Sequence, residues 1–196
     1  MTGGGKRPAV FLDRDGVLNV LRRADYVKTP DELVLLPGAA QAVHRLNALG
    51  LPVFVISNQQ GVAKSLMTAA DLDAVDAALR TTLDQEAPGA HLDGAYYCPH
   101  GAGDACACRK PQPGLIEQAA REHELDLARS FFVGDAPTDA QAARAAGVGH
   151  FVLVLTGALT GETEPAAHLS IPPAYVAADL AGAVAFIAAS SAAVTS

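Results

Sequence analysis

Two aspartates, Asp13 and Asp15, end a short apolar run in Val10-Phe11-Leu12-Asp13-Arg14-Asp15-Gly16-Val17-Leu18-Asn19. Carboxylates this close in an apolar surround repel each other unless something positive is shared between them. Mg²⁺ would serve, because it takes hard oxygen ligands and is commonly held by one or two carboxylates. An isolated Asp-x-Asp-Gly is equally well a strand followed by a turn, so its meaning rests on what accompanies it. Three more polar motifs do: Ser57-Asn58, Arg109-Lys110-Pro111 and Gly134-Asp135. Carboxylates, a hydroxyl, an amide and cations together suit a phosphate held against Mg²⁺, with one carboxylate free to attack phosphorus. A second set, Cys98, His100, Cys106 and Cys108, places three thiols and an imidazole in one short loop containing Gly101 and Gly103. Cys₃His with no open position matches tetrahedral structural Zn²⁺.

For these groups to meet, the elements between them must bring them to one rim. Short apolar runs bounded by turn residues predict strands at residues 8–12, 51–56, 92–97, 131–133 and 151–155. Helical spacing of apolar residues, with capping signals, predicts helices at about 37–49, from Thr68 to a stop at Pro88-Gly89, and at about 113–124, 138–146 and 179–189. Thr68 with Asp71 reads as a capping box, and Asp179 as the N-cap of the last helix. Alternating strands and helices predict an α/β fold: a doubly wound, mainly parallel, Rossmann-like sheet of five strands with helices on both faces. Asp13 and Asp15 then follow the first strand, Ser57 and Asn58 the second, and Asp135 the fourth. In such sheets the carboxyl ends of the strands share one rim, where ligands bind.

The totals are consistent with one domain over residues 1–196, half of them apolar. A net charge of −7 and the lack of a long basic run exclude tracking of a nucleic-acid backbone. The N-terminus lacks the apolar region of a signal peptide, and the Ala-rich C-terminus reads as a docked helix, not a membrane span. The three cysteines cannot pair evenly, which favours a reducing compartment and a metal. A cytoplasmic monomer with a small-molecule substrate, and no nucleic-acid or membrane partner, is the expectation.

In order and on the right elements, these motifs resemble the phosphatases of the haloacid dehalogenase-like superfamily, over about residues 8–156. The resemblance implies that Asp13 is the nucleophile and a Mg²⁺ ligand. Asp15 would be the general acid/base and would bind the metal through its backbone carbonyl. Ser57 and Asn58 would hold phosphate oxygens, Lys110 would neutralise the phosphoryl charge, and Asp135 would complete the Mg²⁺ ligands. Asp139 could support Mg²⁺, orient Lys110 or simply suit a helix N-terminus. The Cys98–Cys108 loop narrows the likeness to compact members without a large cap domain, which act on a heptose bisphosphate or on histidinol phosphate. These imply a small phosphorylated sugar or polyol as substrate, contacted by Arg109 and by the 19–28 loop. A non-catalytic phosphosugar-binding protein is the competing class, although such a binder needs neither Asp13 nor Asp15. A receiver domain would explain neither the Asp-x-Asp pair nor the cysteine loop.

Overall fold

The run Val10-Phe11-Leu12 becomes β1 (Val10–Leu12), and all three of its residues are fully buried. In the computed structural model, which describes residues 5–162 and 164–194, the elements follow in an alternating order. After β1 come α1 (Ala39–Ala48), β2 (Val53–Asn58), α2 (Ala69–Glu86) and β3 (Gly94–Cys98). Next are α3 (Gly114–Glu122), β4 (Phe131–Gly134), α4 (Pro137–Ala146), β5 (His150–Val154), β6 (Tyr175–Ala177) and α5 (Leu180–Val194). The strands are parallel and lie in the order β3-β2-β1-β4-β5-β6. The chain therefore builds outward from β1 on one side, then returns to start again at β4. A crevice opens at the carboxyl ends of β1 and β4, where the winding reverses.

Side-chain alternation along β1 divides the core between the two faces of the sheet. Val10 and Leu12 pack with residues of α1, α2 and α5, including Val43, Leu46, Leu79, Leu83, Val184 and Ile187. Phe11 packs on the other face with Leu115, Ile116 and Ala119 of α3 and with Ala140 and Ala143 of α4. There Phe54, Phe11, Phe132 and Phe151 form a row across four strands, with centroids 5.9, 6.4 and 6.3 Å apart in turn. Cutting one such buried ring back to alanine costs about 3–5 kcal/mol, so the ends of β1 and β4 rest on a stiff platform. Helix entry is also fixed locally. Thr68 accepts from the Asp71 amide at 3.1 Å and the Asp71 carboxylate accepts from the Thr68 amide at 2.8 Å, as the capping box requires.

The sheet has six strands, not the five expected. The additional strand, β6, is three residues long and follows Pro172-Pro173. It has no periodicity of its own and becomes a strand by pairing with β5, Val152 opposite Tyr175. The third strand runs from Gly94 to Cys98, because its ladder with β2 sets Asn58 opposite Cys98. The last helix begins one residue after Asp179, whose carboxylate accepts from the Gly182 amide at 2.8 Å. It continues past the expected 189 to Val194, since the Ala and Ser residues there include no glycine or proline to end it. No helix among the described residues is long and apolar enough to cross a membrane.

Candidate active site

The carboxyl ends of β1, β2 and β4 border a cleft of about 200 Å³, lined by Asp13, Asp15, Ser57, Asn58, Lys110 and Asp135. A larger cavity of about 480 Å³ lies at the opposite ends of the strands, beside Pro8, Phe131 and His150. It gathers none of the motif residues.

Lys110 organises the cleft floor although it belongs to no strand. Its ammonium, almost fully buried, lies 2.9 Å from Asp13 Oδ1 and 2.7 Å from Asp139 Oδ1, and it donates to the Ile56 carbonyl at 2.9 Å. Its positive charge is thus shared between two carboxylates at the cleft floor. Burial pushes the ammonium toward neutrality, but Asp13 and Asp139 more than offset this and hold it above the ordinary lysine value. The Asn58 carboxamide accepts from the Lys110 amide at 2.9 Å and donates to the Lys110 carbonyl at 3.0 Å. Asn58 therefore clamps the lysine backbone. The second Nδ2–H stays available to the cleft that Asn58 lines.

The ligand oxygens of Asp13, Asp135 and Asp139 lie within 4.8 Å of one another. Burial, then the neighbouring carboxylates, push Asp13 up to about 6 against the pull of Lys110. Burial and the charges of Asp13 and Asp139 push Asp135 up to about 8. Three carboxylates against one ammonium leave an excess of negative charge, and the donors are hard oxygens. Mg²⁺, whose opposite ligands lie about 4.2 Å apart, fits that set. The Asp139 oxygens are already engaged: Oδ2 accepts from the Asp135 and Ala136 amides, both at 3.1 Å, while Oδ1 faces Lys110. Gly134 permits this approach, since a Cβ there would lie 2.5 Å from the Asp139 Cβ. Asp135 accepts from the Ala158 amide after β5, and a Cβ on Gly157 would collide with its carboxylate.

The Asp15 carboxylate lines the same cleft but is held by a different set of donors. Its Oδ1 accepts from Asn19 Nδ2 at 2.9 Å and Arg14 Nη2 at 3.2 Å. Its Oδ2 accepts from Gln59 Nε2 at 2.8 Å and Arg14 Nη2 at 3.0 Å. Each oxygen thus takes two contacts. Ser57 accepts from Gln59 at 3.1 Å and keeps its own O–H to donate. Sequence reasoning assigned no role to Arg14 or Gln59. The only signal for Arg14 was its place between two acids; Gln59 offered none.

Two expected substrate contacts fare differently. In the 19–28 loop, Leu21, Arg22, Asp25, Tyr26 and Val27 line the cleft. Arg109 does not; its guanidinium donates to the His100 carbonyl at 3.2 Å and lies 3.5 Å from Gln60 Oε1. Cys98, His100, Cys106 and Cys108 come together, with Cys98 Sγ 3.8 Å from Cys106 Sγ and 3.2 Å from Cys108 Sγ. Those separations are far beyond a disulfide bond. They approach the edge, about 3.8 Å, of a tetrahedron of thiolates around Zn²⁺, so the donor set fits that ion.

An α/β sheet wound from β1, with acids at the ends of β1 and β4, defines a class that sequence comparison names. The chain belongs to the haloacid dehalogenase-like hydrolases, whose family profile matches residues 11–144. Among curated proteins it is 42% identical to the D-glycero-beta-D-manno-heptose-1,7-bisphosphate 7-phosphatase of Pseudomonas aeruginosa, over 77% of this chain and 83% of that one. It is 41% identical to the D-glycero-D-manno-heptose-1,7-bisphosphate 7-phosphatase of Thermosynechococcus vestitus, over 92% of this chain and 95% of that one. Among solved structures, the D,D-heptose 1,7-bisphosphate phosphatase of B. bronchiseptica, complexed with magnesium and phosphate, superposes with a TM-score of 0.84. The two are 38% identical, over 93% of this chain and 98% of that one.

Proposed function

We propose that the chain is a Mg²⁺-dependent phosphatase that removes the 7-phosphate of D-glycero-D-manno-heptose 1,7-bisphosphate through an aspartyl-phosphate on Asp13. The observation that carries the chemistry is the Asp13 carboxylate, pinned by Lys110 at 2.9 Å beside Asp135 at the reversal point of the sheet. The substrate rests on the heptose-phosphatase relatives, and the 200 Å³ cleft suits a small phosphosugar.

Asp13, Asp135 and the Asp15 backbone carbonyl would hold Mg²⁺, which when bound offsets charge on the phosphoryl oxygens. Asp139 serves Lys110 instead. Lys110 and the Arg14 amide, at 2.9 and 2.7 Å, both contact Asp13 Oδ1 and so fix where Oδ2 faces. Asp13 forms a bond to phosphorus as the bond to the sugar oxygen breaks, and that oxygen takes a proton from Asp15. Asp15 then removes a proton from water, whose oxygen attacks the phosphorus, releasing inorganic phosphate and restoring Asp13. The Ser57 hydroxyl donates to a phosphoryl oxygen. Zn²⁺ held by Cys98, His100, Cys106 and Cys108 would shape the loop that leads into Arg109 and Lys110.

The test is phosphate release with Mg²⁺ from the heptose bisphosphate and from histidinol phosphate, using the wild type and Asp13→Asn. Turnover favouring the heptose, reduced to background in Asp13→Asn, is expected. If Asp13→Asn kept about a tenth of the rate, covalent catalysis by Asp13 would be wrong. Preference for histidinol phosphate would overturn the substrate, and binding without turnover would overturn the enzyme reading.

A further inference from the structure

We propose that Gln59 and Arg14 are positioning residues that hold the Asp15 carboxylate in its proton-transfer orientation; this rests on the reading of Asp15 as general acid/base. Both side chains are wholly buried, at 0% exposure. Burying polar groups is costly when any of their atoms goes unpaired. Yet Gln59 Oε1, Asn19 Oδ1, Arg14 Nε and Arg14 Nη1 have no hydrogen-bond partner, and all three residues spend donors on the same carboxylate. An apolar side chain of similar volume at position 14 or 59 would avoid that cost, and replacing buried ionic groups in this way is often neutral or stabilising. Fold stability alone is therefore a poor account of three imperfectly satisfied polar residues converging on Asp15. Control of its direction is a better one.

The support behind Arg14 is itself built in. Its guanidinium lies 5.8 Å from the centre of the Tyr97 ring, and Tyr97 donates to Asp76 of α2 at 2.6 Å. Asp76 in turn pairs with Arg80 at 2.8 Å. Gln59 is anchored through its backbone, whose amide donates to the Cys98 carbonyl at 2.7 Å. Its Nε2 reaches Asp15 on one side and Ser57 on the other. Held this way, the carboxylate stands on the cleft wall with little freedom to turn, and misplacing a positioned group can cost on the order of 10²-fold in rate.

Gln59→Met keeps volume and removes both donations, so two routes must be told apart: through Asp15, or through Ser57 and phosphate. Rates of the full chain with Mg²⁺ on p-nitrophenyl phosphate and on the heptose bisphosphate separate them. The aryl leaving group needs little protonation and the sugar oxygen needs it. Action through Asp15 predicts a kcat loss of about 10- to 100-fold on the sugar phosphate, less than about 3-fold on the aryl phosphate, and a nearly constant KM. Added to Asp15→Asn, Gln59→Met should then cost nothing more. Arg14→Lys, which keeps the charge but not the geometry, should repeat the pattern at smaller size. Equal losses on both substrates that persist in the Asp15→Asn background would overturn the proposal and assign Gln59 to Ser57. If Asp15→Asn itself did not discriminate between the substrates, the acid/base reading would fall, and this proposal with it.

Discussion

Asn58 carries a role that its residue type does not announce. It stands at the end of β2, and both ends of its carboxamide bind the Lys110 backbone across a separation of 52 residues. Asn58→Ala would leave that buried amide and carbonyl unpaired and free the lysine that pins Asp13. The expected outcome is a stability loss of about 1–3 kcal/mol and a kcat lower by about 10²-fold. Denaturant unfolding and initial rates check it. A rate loss confined to KM would favour direct phosphate contact instead. Asp13, Ser57, Lys110 and Asp135 were legible because each stands at a strand end or before a helix in a chemically specific motif. Arg14 and Gln59 were not, since only the fold turns them toward Asp15.

At the level of elements, the loop from Cys98 to Lys110 joins the metal-like cluster to the reaction site. Its first cysteine lies within β3, opposite Asn58, so one end is fixed by the sheet. Its other end runs from Cys108 through Arg109 into Lys110, whose backbone Asn58 holds. Cys106→Ser touches no reacting group, yet it should lower zinc content, melt earlier and expose residues 99–107 to protease. A drop in kcat should follow as Lys110 loses its fixed approach. Metal analysis, melting and limited proteolysis decide: wild-type protein without zinc after metal-replete growth and chelator-free handling would remove the site.

For the whole molecule, the buried acids should set the pH dependence of stability. Asp13 and Asp135 are held at about 6 and about 8, above an ordinary aspartate. A carboxyl with a raised folded-state value stabilises the fold below its unfolded value and loses that contribution as pH rises through the folded one. Asp25, Asp71, Glu122 and Asp126 are lowered, chiefly by hydrogen bonds from Lys28, Thr68, Tyr96 and Arg129 respectively. Their contribution is complete above about pH 5. Chelated protein should therefore melt progressively earlier from about pH 5 to pH 8, Mg²⁺ should restore most of the loss, and Asp135→Asn should flatten the upper part. A flat or rising melting curve, indifferent to Mg²⁺, would contradict this account of the site.

Local signals in the chain were enough for the alternation of strands and helices, the wound sheet and the acids after β1 and β4. Apolar periodicity, caps and glycine stops are local, and each strand end was marked by its own polar motif. Tertiary structure alone decided the sixth strand, which needs β5 to pair with. It also decided the clamp of Asn58 on Lys110, the turning of Arg109 toward His100, and the grip of Arg14, Asn19 and Gln59 on Asp15. Asn58 meets Lys110, and Gln59 meets Asp15, only because the crossovers bring them together, while Arg109 meets His100 through the closing of one loop. Which donor meets which acceptor depends on burial and distance, and neither is written in spacing along the chain.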